Sequence, residues 1–139
     1  MPKYHYISKG KVVFDDHGGA VRIFVDFGLC HYYKAMVERR FWLQTNFPKH
    51  KPHITIVNPK IHTEISNWDY AKKKWNGQYV KFTYDPYIKI GGKGKGFRNF
   101  WIHVQSPDID AIKRDLRVKK SGYGDHLTIC NTKGLQKSC

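Results

Sequence analysis

Apolar and polar positions alternate along the chain in two distinct rhythms. Ala20-Val-Arg-Ile-Phe-Val-Asp-Phe27 is rich in β-branched and aromatic residues with a period near two, which predicts a strand closed by Gly28. Lys11-Val-Val-Phe14 reads as a short edge strand before it. From Leu29 to Phe41 the rhythm changes: Leu29, Tyr33, Met36, Val37 and Phe41 recur every three or four residues, the stripe of an amphipathic helix. Pro48 and Pro52 interrupt that period and favour extended backbone, so His53-Ile-Thr-Ile-Val57 opens a new strand that ends at Asn58-Pro59.

The second part of the chain repeats these signals. A polar, lysine-rich stretch from Thr63 to Trp75 predicts a helix capped at Ser66 or Asn67. Strands follow at Gln78 to Tyr84 and Tyr87 to Ile90, and Phe97 to Val104 returns as a hairpin partner after the Gly91 to Gly96 loop. Ser106-Pro107-Asp108 is a helix start, with Ile109, Ile112 and Leu116 on one face through Val118. After Gly122-Tyr-Gly124, His126-Leu-Thr-Ile-Cys130 is the last strand. The order predicts an α+β domain over residues 1–139. Its two related lobes are each a small antiparallel sheet with helices outside, and the sheets form a central cleft.

Composition changes this picture in one respect. At 139 residues the chain has the size of one domain, and 40% hydrophobic with 15% aromatic residues argues for a folded core. Lys and Arg outnumber Asp and Glu by 25 to 11, a net charge of +14 that favours anionic partners. No apolar run has the length of a membrane span, and the first residues lack the apolar core of a secretory signal, so the expectation is a cytoplasmic protein with no membrane association. Cys30, Cys130 and Cys139 have neither disulfide-framework nor zinc spacing; Cys130 reads as small core packing.

The chemistry lies in a repeated tetrapeptide. His53-Ile54-Thr55-Ile56 and His126-Leu127-Thr128-Ile129 share the pattern His-apolar-Thr-Ile, each just after a Pro or Gly turn. Residues two apart on a strand share a face about 6.5–7 Å apart, so each His and its Thr point one way while the aliphatic residues point to the core. Two imidazoles and two hydroxyls on one floor suit phosphodiester cleavage: one ring takes a proton from the attacking hydroxyl, the other gives one to the leaving oxygen, and the threonines hold phosphoryl oxygens. Histidine fits because its unperturbed pKa, about 6.5, allows either protonation state near neutrality. The chain offers no acidic cluster and no H-E-x-x-H for a catalytic metal, so neither metal nor cofactor is expected.

The paired H-I-T-I and H-L-T-I resemble the signature of the two-histidine (2H) phosphoesterases, over roughly residues 20 to 133. That superfamily includes RNA 2′,3′-cyclic phosphodiesterases, 2′,5′-oligoadenylate phosphodiesterases and the phage anti-CBASS proteins that degrade cyclic di- and trinucleotide immune signals. The resemblance implies a bilobal fold, catalytic His53 and His126, and phosphate-binding Thr55 and Thr128. The short, basic chain is most similar to the anti-CBASS branch, which implies cleavage of a 3′–5′ phosphodiester in a cyclic oligonucleotide in the host cytoplasm. An RNA 2′,3′-cyclic or 2′,5′-oligoadenylate phosphodiesterase, and a non-catalytic binder of RNA or nucleotide, are the alternatives. No protein partner is implied.

Four further residues are candidate substrate contacts. Tyr4 and Tyr6 can arch over the cleft to stack on a base, or form a loose terminus. Lys51 precedes His53 and can attract phosphate, or be plain surface charge. Trp75, beside Lys72-Lys-Lys74, can stack on a base or anchor its helix to the core. The Gly91 to Gly96 loop lacks the order of a phosphate-binding loop and reads as a hairpin tip; His103 reads as a packed strand histidine.

Overall fold

A computed structural model describes residues 6–48, 51–62, 64–92, 96–119 and 124–133. In chain order the elements are β1 (Tyr6–Phe14), β2 (Val21–Val25), α1 (Phe27–Phe41), β3 (His53–Val57), α2 (Trp68–Trp75), β4 (Tyr79–Tyr84), β5 (Lys89–Gly91), β6 (Asn99–Gln105), α3 (Pro107–Leu116) and β7 (His126–Asn131). All seven strands join one antiparallel sheet in the order β4-β1-β2-β3-β7-β6-β5, and β4 also pairs with β6. That last pairing closes six strands into a barrel and leaves β5 as an appended edge.

This overturns the expectation of two small sheets forming a central cleft. β4 bonds on both sides, which the alternation of its own residues does not signal. It pairs with β1 from Tyr6↔Tyr84 to Lys11↔Tyr79, and with β6 through Thr83↔Gln105 and Tyr84↔Val104. Asp85-Pro86 turns the chain out of line after Tyr84, so β6 can hold β4 at one end and β5 at the other. Closure satisfies edge hydrogen bonds that separate sheets would expose.

β1 also proves longer than its four-residue sequence signal, and it is an inner strand between β4 and β2. Its first half, Tyr-Ile-Ser-Lys-Gly, lacks a run of apolar residues. Gly10 is buried against the neighbouring strand: a Cβ there would stand 2.6 Å from the Phe24 carbonyl oxygen, so the close approach of β1 to β2 requires glycine.

Along the strands the buried positions alternate with open ones. Val12, Ile23, Ile54, Leu127, Ile102 and Phe82 belong to one continuous core that also takes in Cys30, Tyr33 and Val37 of α1 and Ile109, Ile112 and Leu116 of α3. Cys30 and Cys130 are free thiols in that core, and burial pushes the Cys30 thiol up to about 12. Asp26 caps α1 by accepting from the Gly28 amide, and Ser106 caps α3 by accepting from the Ile109 amide. Asn67 does precede α2 but takes a left-handed conformation (φ 60°) with no side-chain cap bond.

A repeat runs through the connectivity. β1-β2-α1-β3 and β5-β6-α3-β7 are both two strands, a helix and an H-x-T strand. α1 packs against β7 and α3 against β3, so each helix covers the His strand of the other unit. The two His strands even share an irregularity. Register shifts opposite β2 and β6 leave Ile56 and Ile129 as the extra residues of β-bulges, each the fourth residue of its H-x-T-I motif. The bulge explains why Ile56 and Val57, like Ile129 and Cys130, are both buried although they are adjacent.

Candidate active site

β3 and β7 are hydrogen-bonded neighbours, antiparallel, paired at Ile54↔Leu127. Both of these residues are fully buried, which turns the flanking His and Thr of each strand to the open face. Extending the antiparallel pairing one residue each way sets His53 opposite Thr128 and Thr55 opposite His126. Directly opposed side chains start about 4.5–5.5 Å apart, and the diagonal pair His53 and His126 about 7–8 Å apart. Four polar groups therefore form a quadrilateral with approximate twofold symmetry about the Ile54–Leu127 pair. His53 and Thr128 are half-buried, Thr55 and His126 exposed.

The neighbouring strands extend this floor. β2 places Phe24 opposite His53 and Arg22 opposite Thr55; β6 places Trp101 opposite Thr128 and His103 opposite His126. One row thus runs Phe24, His53, Thr128, Trp101, and the next Arg22, Thr55, His126, His103. An aromatic ring flanks each histidine: the Phe24 ring lies 6.2 Å from that of His53, and the Trp101 ring 6.2 Å from that of His126. The Trp101 ring in turn lies over Gly91, where a Cβ would meet its edge at 2.6 Å.

His53 is oriented by its own approach segment. Its Nδ1 is 2.7 Å from the Lys51 carbonyl oxygen, and because a carbonyl only accepts, Nδ1 carries the proton. The neutral ring then holds its lone pair on Nε2, the geometry wanted of a base. Pro52 fixes this segment from the other side, its carbonyl accepting from the Val25 amide.

Of the candidate substrate contacts, Lys51 joins the site through its main chain, with its side chain exposed. Tyr6 does not join it. Strand alternation puts Tyr6 on the same face as Val12 and Phe14, stacked on Tyr84 with ring centroids 5.7 Å apart. Trp75 is likewise elsewhere: its indole nitrogen donates to Asp115 Oδ2 at 2.9 Å, clasping α2 to α3, the anchoring alternative. Tyr4 lies outside the described residues, as do Lys93, Gly94 and Lys95 of the glycine loop.

Arg22, Phe24, Trp101 and His103 are the site residues the sequence reading passed over as ligands. Their signal was present, since Val21-Arg-Ile-Phe-Val25 alternates buried and open residues. What the pattern lacks is the information that β2 and β6 flank the two His strands.

Charge is uneven around the floor. Beyond Phe24 a groove of about 660 Å³ carries Lys9, Lys11 and Lys81. A smaller hollow of about 410 Å³ is lined by Arg22 together with Asp15 and Asp16, the latter paired with Lys72. Hydrogen bonds from the Gly18 and His17 amides, with some help from Arg22, hold the Asp15 carboxyl below its usual range. Asp16 is held low by Lys72 and the Trp68 indole. Among the described residues no group of three or more His, Cys, Asp or Glu is placed to hold a metal ion, and no helix is long and apolar enough to cross a membrane. The chain matches no family model, no curated protein and no solved structure.

Proposed function

We propose that the protein is a phosphodiesterase that cleaves a nucleotide 3′–5′ phosphodiester by acid-base catalysis between His53 and His126. The observation that carries this reading is the pairing of β3 with β7 at Ile54↔Leu127, which brings both H-x-T faces together on the open side of the sheet. With ribose present, His53 takes the proton from O2′ as that oxygen attacks phosphorus. The bond to O5′ breaks, His126 delivers a proton to O5′, and the products are a 2′,3′-cyclic phosphate and a 5′-hydroxyl. The Nδ1–H bond to the Lys51 carbonyl leaves Nε2 as the nitrogen that exchanges the proton, and we assign His53 the base role in this direction of the reaction. Thr55, Thr128 and Arg22 hold the non-bridging oxygens, where charge rises in the transition state.

Among substrates, the small basic chain favours cyclic di- or trinucleotide signals. RNA cyclic-phosphate ends and 2′,5′-oligoadenylates present the same phosphate to the same four residues. A panel of these substrates, read by mass spectrometry of the products, identifies the linkage. Each of His53→Ala and His126→Ala should lower turnover about 10²–10⁴-fold, the range for a positioned acid or base, with substrate binding largely kept. Activity should persist in EDTA and show a bell-shaped pH dependence. Chelator-sensitive turnover, or normal turnover in either variant, defeats the proposal. Binding of a nucleotide without any product would leave a binder instead of an enzyme.

A further inference from the structure

The row that holds His53 does not stop at Phe24. It continues to Lys11 on β1 and Tyr79 on β4, and one step along the strands Lys9 stands directly opposite Lys81. Like charges set face to face across a sheet are destabilising, and among the described residues none of these three lysines has an ion pair. The other described ion pairs show that carboxylates are available to lysines elsewhere on the surface. Among the described residues Asp26 is the one carboxylate lining the groove, and its Oδ1 accepts from the Gly28 amide.

Two rings are interleaved with these cations. Tyr79 is 67% exposed with the Lys9 ammonium 5.8 Å from its ring centroid, and the half-buried Phe24 separates the groove from His53. An exposed ring beside clustered lysines is the combination that binds single-stranded nucleic acid, the ring stacking on a base and the lysines neutralising phosphates. Phe24 lines this groove and stands beside His53, so groove and histidine adjoin; Lys11 is two strands from His53, and Tyr79 and Lys81 are three strands round the barrel.

We propose that this groove holds a further phosphate and base of a single-stranded oligonucleotide whose scissile phosphate sits between His53 and His126. The inference rests on the phosphodiesterase reading and adds a polarity to it. The substrate leaves the histidines past Phe24, across β2 toward the lysines of β1 and β4.

The test uses the full chain in the His53→Ala/His126→Ala background, so that nothing is cleaved, and follows anisotropy of a fluorescein-labelled RNA tetramer across a salt series. Adding Lys9→Gln and Lys81→Gln should weaken binding about tenfold or more and lower the log–log salt slope by about 0.7 per lysine. Tyr79→Ser should weaken binding about five- to tenfold with the slope unchanged, since it removes stacking and no charge. Lys60→Gln/Lys119→Gln, the same charge change elsewhere, should leave affinity within about twofold. Equal losses in that control, or competition by polyglutamate as effective as by unlabelled RNA, overturn the groove in favour of diffuse charge or an acidic peptide. A parent that binds the tetramer through the groove yet cleaves neither it nor any cyclic dinucleotide, cyclic trinucleotide, cyclic-phosphate end or 2′,5′-oligoadenylate defeats the phosphodiesterase reading alone; unchanged binding in the lysine variants of a parent that cleaves defeats the groove alone.

Discussion

Gly91→Ala tests whether the Trp101 ring positions His126. Gly91 has no positive φ, so alanine suits its backbone, and the new methyl would lie 2.6 Å from Trp101 Cη2. Carbon atoms settle at about 3.5–4.0 Å, so the ring edge must retreat by about 1 Å. Trp101 is half-buried and its far edge can swing, and on the other side it meets the His126 ring. The stability terms offset in part, leaving a net loss of about 1 kcal/mol. Overpacking costs about 1–3 kcal/mol, and the lost freedom of the unfolded glycine returns about 0.4–1 kcal/mol. The catalytic term does not offset, because a misplacement near 1 Å at a reacting group costs up to about 10²-fold. We therefore expect kcat/KM to fall about 10- to 100-fold with a stability loss of only about 1 kcal/mol in urea, and the His126 Cε1–Hε1 resonance to be shifted in the NMR spectrum by the displaced indole. In a Trp101→Leu background the same substitution should have no further effect, since the colliding edge is gone. Parental kcat/KM together with an unmoved His126 resonance would refute the reasoning.

Three further outcomes follow from the core and its caps. Ser106→Ala removes an N-cap whose oxygen accepts from the Ile109 amide and whose hydroxyl donates to the Lys81 carbonyl at 2.7 Å, so urea unfolding should report a loss of about 2 kcal/mol, and a loss under about 0.5 kcal/mol would contradict the double role. Leu127→Ala, at a position with no exposure, should cost about 2–5 kcal/mol against under about 1.5 kcal/mol for Leu127→Met; equal costs would mean that the floor beneath the histidines is not close-packed. The Glu38 carboxyl is raised by burial but brought below its usual 4.5 by the Thr45 amide and Lys34; its stabilising contribution is thus complete above 4.5 and lost as pH falls through the lower folded value, and Glu38→Gln should flatten that part of the acid limb in thermal melts.

Local pattern revealed most of the elements but not how they are joined. α3 was legible to within a residue or two because Ser106, Pro107 and the Ile109-Ile112-Leu116 stripe all point to one helix. β3 and β7 were legible because each H-x-T begins just after a Pro or Gly. The barrel was not, since its closure depends on Tyr84 meeting Val104, a contact between strands whose own alternation is equally compatible with separate sheets. Tyr6 and Trp75 were plausible contacts as exposed aromatic types near lysines or near the start of the chain. Which face Tyr6 takes is decided by the register of β1 against β4, and Trp75 by Asp115 on another helix, neither of which a linear pattern carries.

The repeat clarifies what the two units contribute. Apart from Arg22, whose place in the other unit is taken by His103, the parts of the proposed site occur twice: an H-x-T strand, a bulge at its fourth residue, an aromatic ring beside the histidine, and a helix from the other unit behind it. Each strand alone would present one histidine to solvent. Only the β3–β7 seam makes a pair, and the crossed packing of α1 and α3 ties that seam to the core of both units. The flanks break the symmetry. One side carries three lysines on β1 and β4; the other carries the three-residue β5, with Lys89 opposite Trp101 and Gly91 beneath its ring. A twofold floor can treat either bridging oxygen of a phosphodiester alike, so the direction in which a bound strand lies must come from these unequal flanks.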